Sequence, residues 1–484
     1  MFSSRSILAA IVLLEGLIAP VAGRASGAGG MEAAVSSNGP QPSLSVVSDD
    51  PYTNPGTYHR TQVEPVTAAF GSTVVSVFQT GRATNWGASN FGWAVSRDAG
   101  ATWTDGFLPG TTIHATPPGP WQRVTDPAVA YDARHQTWLI VGEGARPCSL
   151  TGSCAGARVF VSRSTDGAQT FDEPLLPRRP NRTQFFDVPW IACDNFPTSL
   201  FYGNCYMVWI DGWHRALLHA YTSSDGGLTW VAGTIPPDHH CVGHPTLVVQ
   251  PNGTVIIGFT EECELSARTF VSTDGGASYV GPFHIPSFDQ RGPAGGLRAS
   301  AIPPGRRFDV DAAGRIYSAW SDCAFRRAEE GVCTHNDIVL STSDDGRHWT
   351  DMFRVPIDPV TSSADHFLAA IAVDPQTSGD SAHIAIVYYF HPEQWCDSKT
   401  CQLYVGLVSS SDGGSTWKVQ DLAGPFKNTW FPLTDSGYMV GEYIGISFVD
   451  GKAIPVFPVA VRGRCSLGDL TSCHVWIASA TIPI

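Results

Sequence analysis

Charged residues are scarce in this chain, and basic residues are scarcer than acidic ones. Only 15% of the 484 residues are charged, with 30 Lys and Arg against 44 Asp and Glu, which gives a net charge of -14. A protein that binds a phosphate backbone needs a basic face, so nucleic acid is not an expected partner. Beyond the N-terminus, no apolar run is long enough to cross a membrane, and membrane association is not expected.

Several catalytic and ligand-binding motifs are also missing. The sequence has no phosphate-binding loop, no dinucleotide fingerprint, no G-x-S-x-G elbow and no H-E-x-x-H zinc motif. It has no long heptad or helical period either, so coiled coils and helical bundles are not expected. These absences leave repeats and cysteine spacing as the informative features.

No two cysteines are spaced as C-x2-C, which disfavours a zinc site. The twelve cysteines instead form six pairs of near neighbours: Cys148 with Cys154, Cys193 with Cys205, Cys241 with Cys263, Cys323 with Cys333, Cys396 with Cys401, and Cys465 with Cys473. An even count with local spacing predicts six disulfide bonds that staple hairpins in an oxidising compartment.

The first residues have the pattern of a signal peptide. Arg5 precedes a short apolar core, Ile7 to Ala19, and small residues such as Ala25 suit cleavage. We therefore expect a secreted protein, extracellular or periplasmic. The expected segments are a signal peptide at 1–25, a flexible lead-in rich in Gly, Ser and Ala at 26–45, and a single domain at 46–484.

Turn formers and aromatic residues are abundant, with 49 Gly, 35 Pro and 11% aromatics, as suits a large all-β domain. One turn recurs. In Ser223 to Trp230, an Asp that can accept backbone N–H bonds precedes two glycines that permit positive φ, and a Trp opens the next strand. This turn motif, S-x-D-x-G-x-T-W with variations, occurs six times: at 96–103, 164–171, 223–230, 272–279, 342–349 and 410–417. Repetition at intervals of roughly 50–70 residues indicates a repeat architecture.

Turn motifs of this kind are Asp boxes, and nearly all of the mature chain resembles the sialidase superfamily of Asp-box (BNR repeat) β-propellers. The resemblance implies blades of four antiparallel strands, with each box joining the third strand to the fourth. Because the box is a structural hairpin, it indicates the fold far more strongly than the function. Enzymes, lyases, receptors and assembly factors share it.

Upstream of each turn motif, a polar residue followed by an apolar run predicts an inner strand that lines a central channel. The predicted inner strands begin near Glu64, Asp126, Asp187, His244, Arg307, Asp365 and Glu442. Seven inner strands with six turn motifs leave the last blade without its fourth strand, which the segment near Leu44–Val47 can supply. Closing the ring in this way removes exposed edges. We therefore favour a β-propeller of seven blades, with six as the alternative.

The starts of the inner strands are expected to converge at one mouth of the channel. Six of the seven residues at this position are ionisable; the set is Glu64, Asp126, Val188 (with Asp187 beside it), His244, Arg307, His366 and Glu442. Such a ring is a candidate small-molecule site, in which crowded carboxylates raise one another's pKa unless a cation offsets them. The alternative is a solvated or Ca²⁺-plugged channel without chemistry. No cofactor is required, and Ca²⁺ is the one that remains open.

The resemblance implies a sialidase-like glycoside hydrolase that acts on acidic glycans through a Tyr nucleophile, an acid/base Asp and an Arg clamp on the sugar carboxylate. On that basis Tyr443 or Tyr438 is the candidate nucleophile, with Glu442 or Glu64 as its partner. Asp126 is the candidate acid/base. The candidate substrate-binding residues are Arg123, Arg307, Arg60, Asp187, His244 and His366.

Two features depart from the sialidase pattern. The triplet on the first inner strand is Val63-Glu64-Pro65, where sialidases have Arg-Ile-Pro, so the first clamp arginine is missing at its place. Adjacent Glu442 and Tyr443 are expected to point to opposite faces of a strand, which argues against a working pair.

Two other functions remain open. A uronate polysaccharide lyase would use His244, His366 or Tyr443 as base, with Arg307 or a metal neutralising the carboxylate. A non-catalytic propeller that binds glycans or proteins would instead stack aromatic residues such as Trp190 on sugar faces. The products separate hydrolase from lyase, because only a lyase leaves an unsaturated product. The expected partner is a carbohydrate, bound by a monomer.

Overall fold

The apolar, β-branched runs of the sequence form strands, and the structure is built almost wholly from them. The computed structural model describes residues 40–145, 157–178, 185–212, 216–237, 239, 241–261, 263, 266–286, 290–298, 307–326, 331–463 and 465–484. Within these ranges the helical segments are two single turns of 3-10 helix, Gly379–Ser381 and Asn428–Trp430. No helix in this part of the chain has both the length and the apolar character that crossing a membrane requires. The all-β prediction is confirmed.

In the first half of the chain, successive strands pair antiparallel in groups. A short strand, β1 (Ser45–Ser48), comes first. The first group is β2 (Gln62–Phe70), β3 (Thr73–Arg82), β4 (Ala88–Ser96) and β5 (Thr104–Phe107). The second group is β6 (Arg123–Asp132), β7 (Thr137–Ala145) and β8 (Arg158–Ser164). One pair, Ala88 of β4 with Val124 of β6, joins these two groups into a single seven-stranded sheet. The third group is β9 (Phe186–Cys193), β10 (Cys205–Asp211), β11 (Leu217–Ser223) and β12 (Val231–Ala232).

The second half continues the pattern. The fourth group is β13 (Val242–Val249), β14 (Val255–Glu261), β15 (Ser266–Ser272) and β16 (Val280–Ile285). The fifth is β17 (Arg307–Val310), β18 (Ile316–Asp322), β19 (Asp337–Ser343) and β20 (Phe353–Arg354). The sixth is β21 (Asp365–Val373), β22 (Ile384–His391), β23 (Gln402–Ser410) and β24 (Lys418–Lys427). A hairpin of β25 (Leu433–Thr434) and β26 (Gly437–Tyr438) precedes the seventh group, which is β27 (Gly445–Val449), β28 (Lys452–Ala460), β29 (Val475–Ser479) and β30 (Ile482–Pro483).

The N-terminal strand completes the seventh group. β1 pairs antiparallel with β29, with Ser45 opposite Ser479 and Val46 opposite Ala478. The sequence predicted this use of the segment near Leu44–Val47, and the pairing confirms it. In the second group, the described residues form a single bridge, Val161 to Leu175, where the other groups have a fourth strand.

Buried apolar side chains fill the space between neighbouring groups. One cluster combines Phe91 of the first group with Ile140 of the second, and another combines Val141 of the second with Met207 of the third. The first strands of the groups also contact one another in chain order, from β2 through β6, β9, β13, β17 and β21 to β27, and β27 contacts β2. Each first strand therefore lies next to the first strands of the groups before and after it.

Each turn motif lies after the third strand of its group, and its aspartate holds the turn. Asp225 Oδ1 accepts the Ser223 hydroxyl at 2.8 Å and the Thr229 N–H at 2.9 Å, while Oδ2 accepts the Thr229 hydroxyl at 2.6 Å. Equivalent bonds to carboxylate oxygens occur at Asp98, Asp166, Asp274 and Asp412. In the fifth copy, His348 Nδ1 lies 2.7 Å from Asp345 Oδ2.

Disulfide bonds add covalent links at other connections, mostly between the first and second or the second and third strands of a group. Five of the predicted bonds are present: Cys193–Cys205, Cys241–Cys263, Cys323–Cys333, Cys396–Cys401 and Cys465–Cys473. The predicted pair Cys148 and Cys154 lies outside the described residues. Cys193 and Cys205 are direct partners across β9 and β10, so this bond closes the hairpin that carries part of the site described below.

Replacing Asp225 with alanine is expected to destabilise the protein by about 1–2 kcal/mol, because hydrogen bonds to a carboxylate within one turn are lost. Thermal denaturation followed by tryptophan fluorescence measures the effect. Asp351→Ala, which removes an exposed aspartate beside the fifth turn motif, is the matched control. Equal melting temperatures for the two variants would contradict a structural role for the turn-motif carboxylate.

Candidate functional site

In the first strand of four groups, the residue before a proline forms a β-bulge. The register of β2, β6, β9 and β13 shifts at this point. The residues there have left-handed backbone conformations: Glu64 (φ 57°), Asp126 (φ 53°), Val188 (φ 49°) and His244 (φ 44°). Residues other than glycine seldom adopt this conformation, and bulges often re-aim a side chain beside a functional site.

Three of these bulges, at Asp126, Val188 and His244, border one cavity. Its enclosed volume is about 10 Å³, and about 300 Å³ when the space open to solvent is counted. Its ionisable and aromatic lining residues are Asp126, Trp190, His244, Arg307, Glu442 and Tyr443. All six were named from the sequence, Trp190 as a residue that would stack on a sugar face. The structure therefore brings together side chains from the second, third, fourth, fifth and seventh groups.

Glu442 and Tyr443 both line the cavity, contrary to the expectation that they point to opposite faces. They precede β27, so strand alternation does not apply to them, and Gly441 (φ 115°) redirects the chain just before. The Tyr443 hydroxyl donates a hydrogen bond to Asp126 Oδ1 at 3.4 Å. Burial, followed by the charges of Glu64 and Asp126, raises the pKa of Tyr443 well above its usual range, so the phenol keeps its proton at neutral pH.

Arg307 lies against two aromatic rings. Its Cζ is 3.9 Å from the ring centroid of Trp190 and 4.9 Å from that of Tyr443. The side chain of Arg307 forms no hydrogen bond and no ion pair with the residues that the structure describes, although the charge of Glu64 acts on it. Burial lowers its pKa to about 10, so the guanidinium stays charged at neutral pH. A partly buried cation that stacks on aromatic faces and has no directly paired carboxylate among the described residues is well placed to receive an anion.

Asp126 also belongs to a cluster of three carboxyl groups. One oxygen each of Asp126, Glu143 and Asp187 lie within 4.8 Å of one another. Burial, followed by the neighbouring negative charges, raises the pKa values of Asp126 and Glu143 well above their usual range. Burial also raises the pKa of Asp187. A hydrogen bond with Glu143 and the charge of His244 oppose this rise. The sequence analysis missed Glu143, although it is the sole acidic residue in the apolar strand β7.

Glu64 lies behind the cavity and is buried. Its carboxylate accepts the Glu442 N–H at 3.2 Å and the side-chain amide of Gln79. Burial and the charge of Glu442 raise the pKa of Glu64 to about 7, against the opposing charges of Arg82 and Arg298. Arg298 also lies 3.2 Å from Glu442 Oε1. Both arginines come from parts of the chain that the sequence analysis did not associate with the site.

His366 does not join the cavity, which corrects the expectation from the sequence. In β21 the bulge falls at Leu368 (φ 57°), so Leu368 occupies the position that Asp126 and His244 hold in their strands. His366 is instead buried, with its ring nitrogens 3.9 Å from Asp337 and 3.8 Å from Asp358. His366, the position inferred from the sequence, lies two residues before the bulge, because no proline follows Leu368 to mark it.

Arg123 and Arg60 also lie away from the cavity lining. Arg123 donates to the side chain of Asn85 and, at 2.8 Å, to the carbonyl of Trp86. Arg60 donates to the carbonyl of Thr471 at 3.1 Å on the surface. The three-arginine clamp expected from the sequence is therefore not assembled by Arg60, Arg123 and Arg307.

The raised pKa of Glu64 predicts a pH dependence of stability. Because its folded pKa lies above the ordinary value of 4.5, its contribution is complete below pH 4.5 and is lost as the pH rises through about 7. The loss amounts to about 3 kcal/mol for a shift of this size. Glu64→Gln removes this titration, and the amide of Gln79 can rotate to offer its free Oε1 to the new side chain.

Urea denaturation at pH 5 and pH 8 tests this pH dependence. Glu64→Gln is expected to match the wild type at pH 5 and to exceed its free energy of unfolding at pH 8. Glu173→Gln, the same change at an exposed position, is the control and should track the wild type at both pH values. A difference between Glu64→Gln and the wild type that is the same at both pH values would exclude titration of Glu64 as the cause.

Comparison with known proteins gives a resemblance at the level of the fold. No family model matches the chain, and no curated protein matches its sequence. Among solved structures, an ulvan lyase of a new polysaccharide lyase family, bound to -[GlcA(1-4)Rha3S]-, is 12% identical, covers 88% of this chain and 96% of its own, and has a TM-score of 0.50.

Two further solved structures are sialidase-type enzymes. The intramolecular trans-sialidase from Ruminococcus gnavus is 10% identical, with 92% of this chain and 97% of that chain covered and a TM-score of 0.44. The sialidase of Trypanosoma rangeli is 14% identical, with 72% of this chain and 58% of that chain covered and a TM-score of 0.46. At a TM-score of 0.50 and 12% identity, the likeness to the ulvan lyase is one of fold alone.

Proposed function

We propose that the chain is a secreted enzyme that cleaves acidic glycans at this cavity by sialidase-like glycoside hydrolysis. The observation that carries the proposal is Arg307, a partly buried cation that faces the cavity without a directly paired carboxylate among the described residues. A sugar carboxylate would supply the missing anion, because the guanidinium fork matches its two oxygens. Trp190, on which Arg307 stacks, adds an apolar face beside it.

Two neighbouring residues would carry the chemistry. Asp126 is the proposed acid/base, because its raised pKa keeps a proton available for the leaving oxygen. Tyr443, which is within hydrogen-bond reach of Asp126, is the proposed nucleophile. Glu64 and Glu442 are among the charges that act on Tyr443, and they are the proposed acceptors of its proton when the bond to the sugar forms.

A uronate polysaccharide lyase is the second candidate. Among the described residues, Arg307 is the one arginine in the cavity lining, whereas a sialidase clamp uses three. A lyase needs one cation to neutralise the carboxylate, a base and an acid. His244 and Tyr443 lie in the same lining as Arg307 and would fill the last two roles.

The architecture and location belong to the same proposal. The first strands contact one another in order and return from β27 to β2, which supports a closed propeller of seven blades at residues 46–484. Five disulfides support export to an oxidising compartment, with 1–25 as a signal peptide and 26–45 as a lead-in. The active species is proposed to be a monomer.

Asp126→Asn is expected to lower kcat on a sialylated or uronate-bearing oligosaccharide by about 10²–10⁴-fold, because the amide cannot donate a proton as the acid does. Chromatography of the products, with ultraviolet detection of unsaturated sugars, reads the reaction. Saturated sugars support hydrolysis, and unsaturated ones support the lyase. A correctly folded Asp126→Asn variant with full activity would remove Asp126 from the mechanism.

Arg307→Lys tests recognition of the carboxylate. The lysine keeps the charge but loses the planar fork and its stacking, so we expect kcat/KM for the free acid to fall by about 10²–10³-fold. The methyl ester of the same sugar should be affected much less, because it offers no anion. Arg60→Lys, the same change outside the cavity, is the matched control. An equal loss on acid and ester would show that Arg307 does not read the carboxylate.

A further inference from the structure

We infer that Asp126, Glu143 and Asp187 bind a hard divalent cation, Ca²⁺, beside the cavity. One oxygen from each residue lies within 4.8 Å of the other two. Because Ca²⁺ binds oxygen ligands at about 2.3–2.6 Å, two ligands on opposite sides of the ion stand about 5 Å apart. Oxygens at this spacing can reach one ion with small adjustments of their side chains. The inference concerns this cluster alone and does not depend on the reaction proposed above.

Glu143 supplies the second, independent observation. Its side chain is 0% exposed and is aimed into the cluster. Neither of its carboxyl oxygens has a hydrogen-bond partner of standard geometry among the described residues, although the Asp187 carboxyl and the Val188 N–H are near enough to act on its pKa. The charges that act most strongly on Glu143 are the negative charges of Asp187 and Asp126. A buried carboxyl group in such surroundings needs either a cation or a proton.

Other acidic groups in the described residues already have cationic or hydrogen-bonding partners. Asp337 and Asp358, near His366, already form ion pairs with Arg326 and Arg354 at distances such as 2.7 Å and 2.8 Å. The turn-motif aspartates accept hydrogen bonds from their own turns, as at Asp225. Among the strongest influences on the cluster that contains Glu143, the one positive charge is that of His244, which acts on Asp187.

The ligand chemistry selects the ion. The three groups offer only carboxylate oxygens, which suit Ca²⁺ and Mg²⁺, whereas zinc and copper favour nitrogen and sulfur. Mg²⁺ demands near-ideal octahedral geometry at about 2.0–2.1 Å and gives up its water reluctantly, so it is seldom held by protein carboxylates alone. Ca²⁺ tolerates irregular geometry and completes its shell with water, so it is the ion we assign.

A bound cation would change the cavity in two ways. It would hold Asp126 ionised, so a chain with the ion bound would lack the proton that the proposed acid role of Asp126 requires, and Tyr443, which donates to Asp126 Oδ1, would carry the proton of the pair. It would also offset the negative charge of three carboxylates at the edge of the cavity. An acidic ligand at Arg307 would then meet less repulsion.

Thermal denaturation of the full chain at pH 7, after treatment with EDTA and dialysis, tests the inference. Adding CaCl₂ to the wild type is expected to raise the melting temperature saturably by about 2–5 °C, because the ion binds only the folded state. MgCl₂ should raise it less. Glu143→Gln should show no rise, and equilibrium dialysis should find one Ca²⁺ fewer per chain than in the wild type.

Glu64→Gln is the matched control, because it makes the same chemical change at a buried carboxyl group outside the cluster, and it should keep the Ca²⁺ response. Circular dichroism of metal-free Glu143→Gln confirms that it folds. The alternative is a proton shared between Glu143 and Asp187. A wild type that does not respond to millimolar Ca²⁺, or an equal response in Glu143→Gln, would overturn the cation site in favour of that shared proton or of Ca²⁺ bound elsewhere.

Discussion

The site depends on one backbone constraint, the β-bulge at the residue before proline in β2, β6, β9 and β13. The left-handed conformation at each bulge costs roughly 1–2 kcal/mol for a residue other than glycine. Strand pairing on both sides of each bulge holds that conformation in place. In return, Asp126 and His244 reach the same cavity although they start separate groups.

Some charged side chains at the site have no oppositely charged partner. This lowers the stability of the fold but leaves these side chains available to a ligand. Arg82 and Arg298 offset part of the charge of Glu64 and Glu442, although burial still raises the pKa of Glu64 to about 7. Arg307 and Glu143 have no directly paired group of opposite charge among the described residues, although the charge of Glu64 acts on Arg307. Unpaired buried charges destabilise a fold, so their retention is better explained by a ligand than by packing. An anion would compensate Arg307, and a cation or a proton would compensate Glu143.

The features of this structure that depend on a few neighbouring residues could be predicted from the sequence. The turn motifs, the five cysteine pairs that lie in the described residues and the N-terminal strand agree with the structure, because each involves a few residues or one conspicuous gap. Candidate residues such as Asp126 and His244 reach the cavity where a proline marks the bulge, and Arg307, Glu442 and Tyr443 reach it without one. His366 was misplaced because Leu368 lacks that proline, and Glu143 was missed because it reaches the cluster from a second strand. Such placements depend on tertiary packing, which spacing along the chain does not record.

The four proline-marked bulges keep one backbone conformation while their side chains differ. Glu64, Asp126, Val188 and His244 have φ values between 44° and 57°, yet they are acidic, apolar and basic in turn. The backbone is therefore the repeated element, and the side chain at each bulge is free to vary without loss of the strand. Because the turn motifs stabilise the outer hairpins through bonds within a few residues, the inner positions carry little of that stabilisation. A fold built in this way can change its chemistry at the bulges while its outer hairpins stay the same, so the function of this chain has to be argued from the bulge residues and their neighbours rather than from the turn motifs.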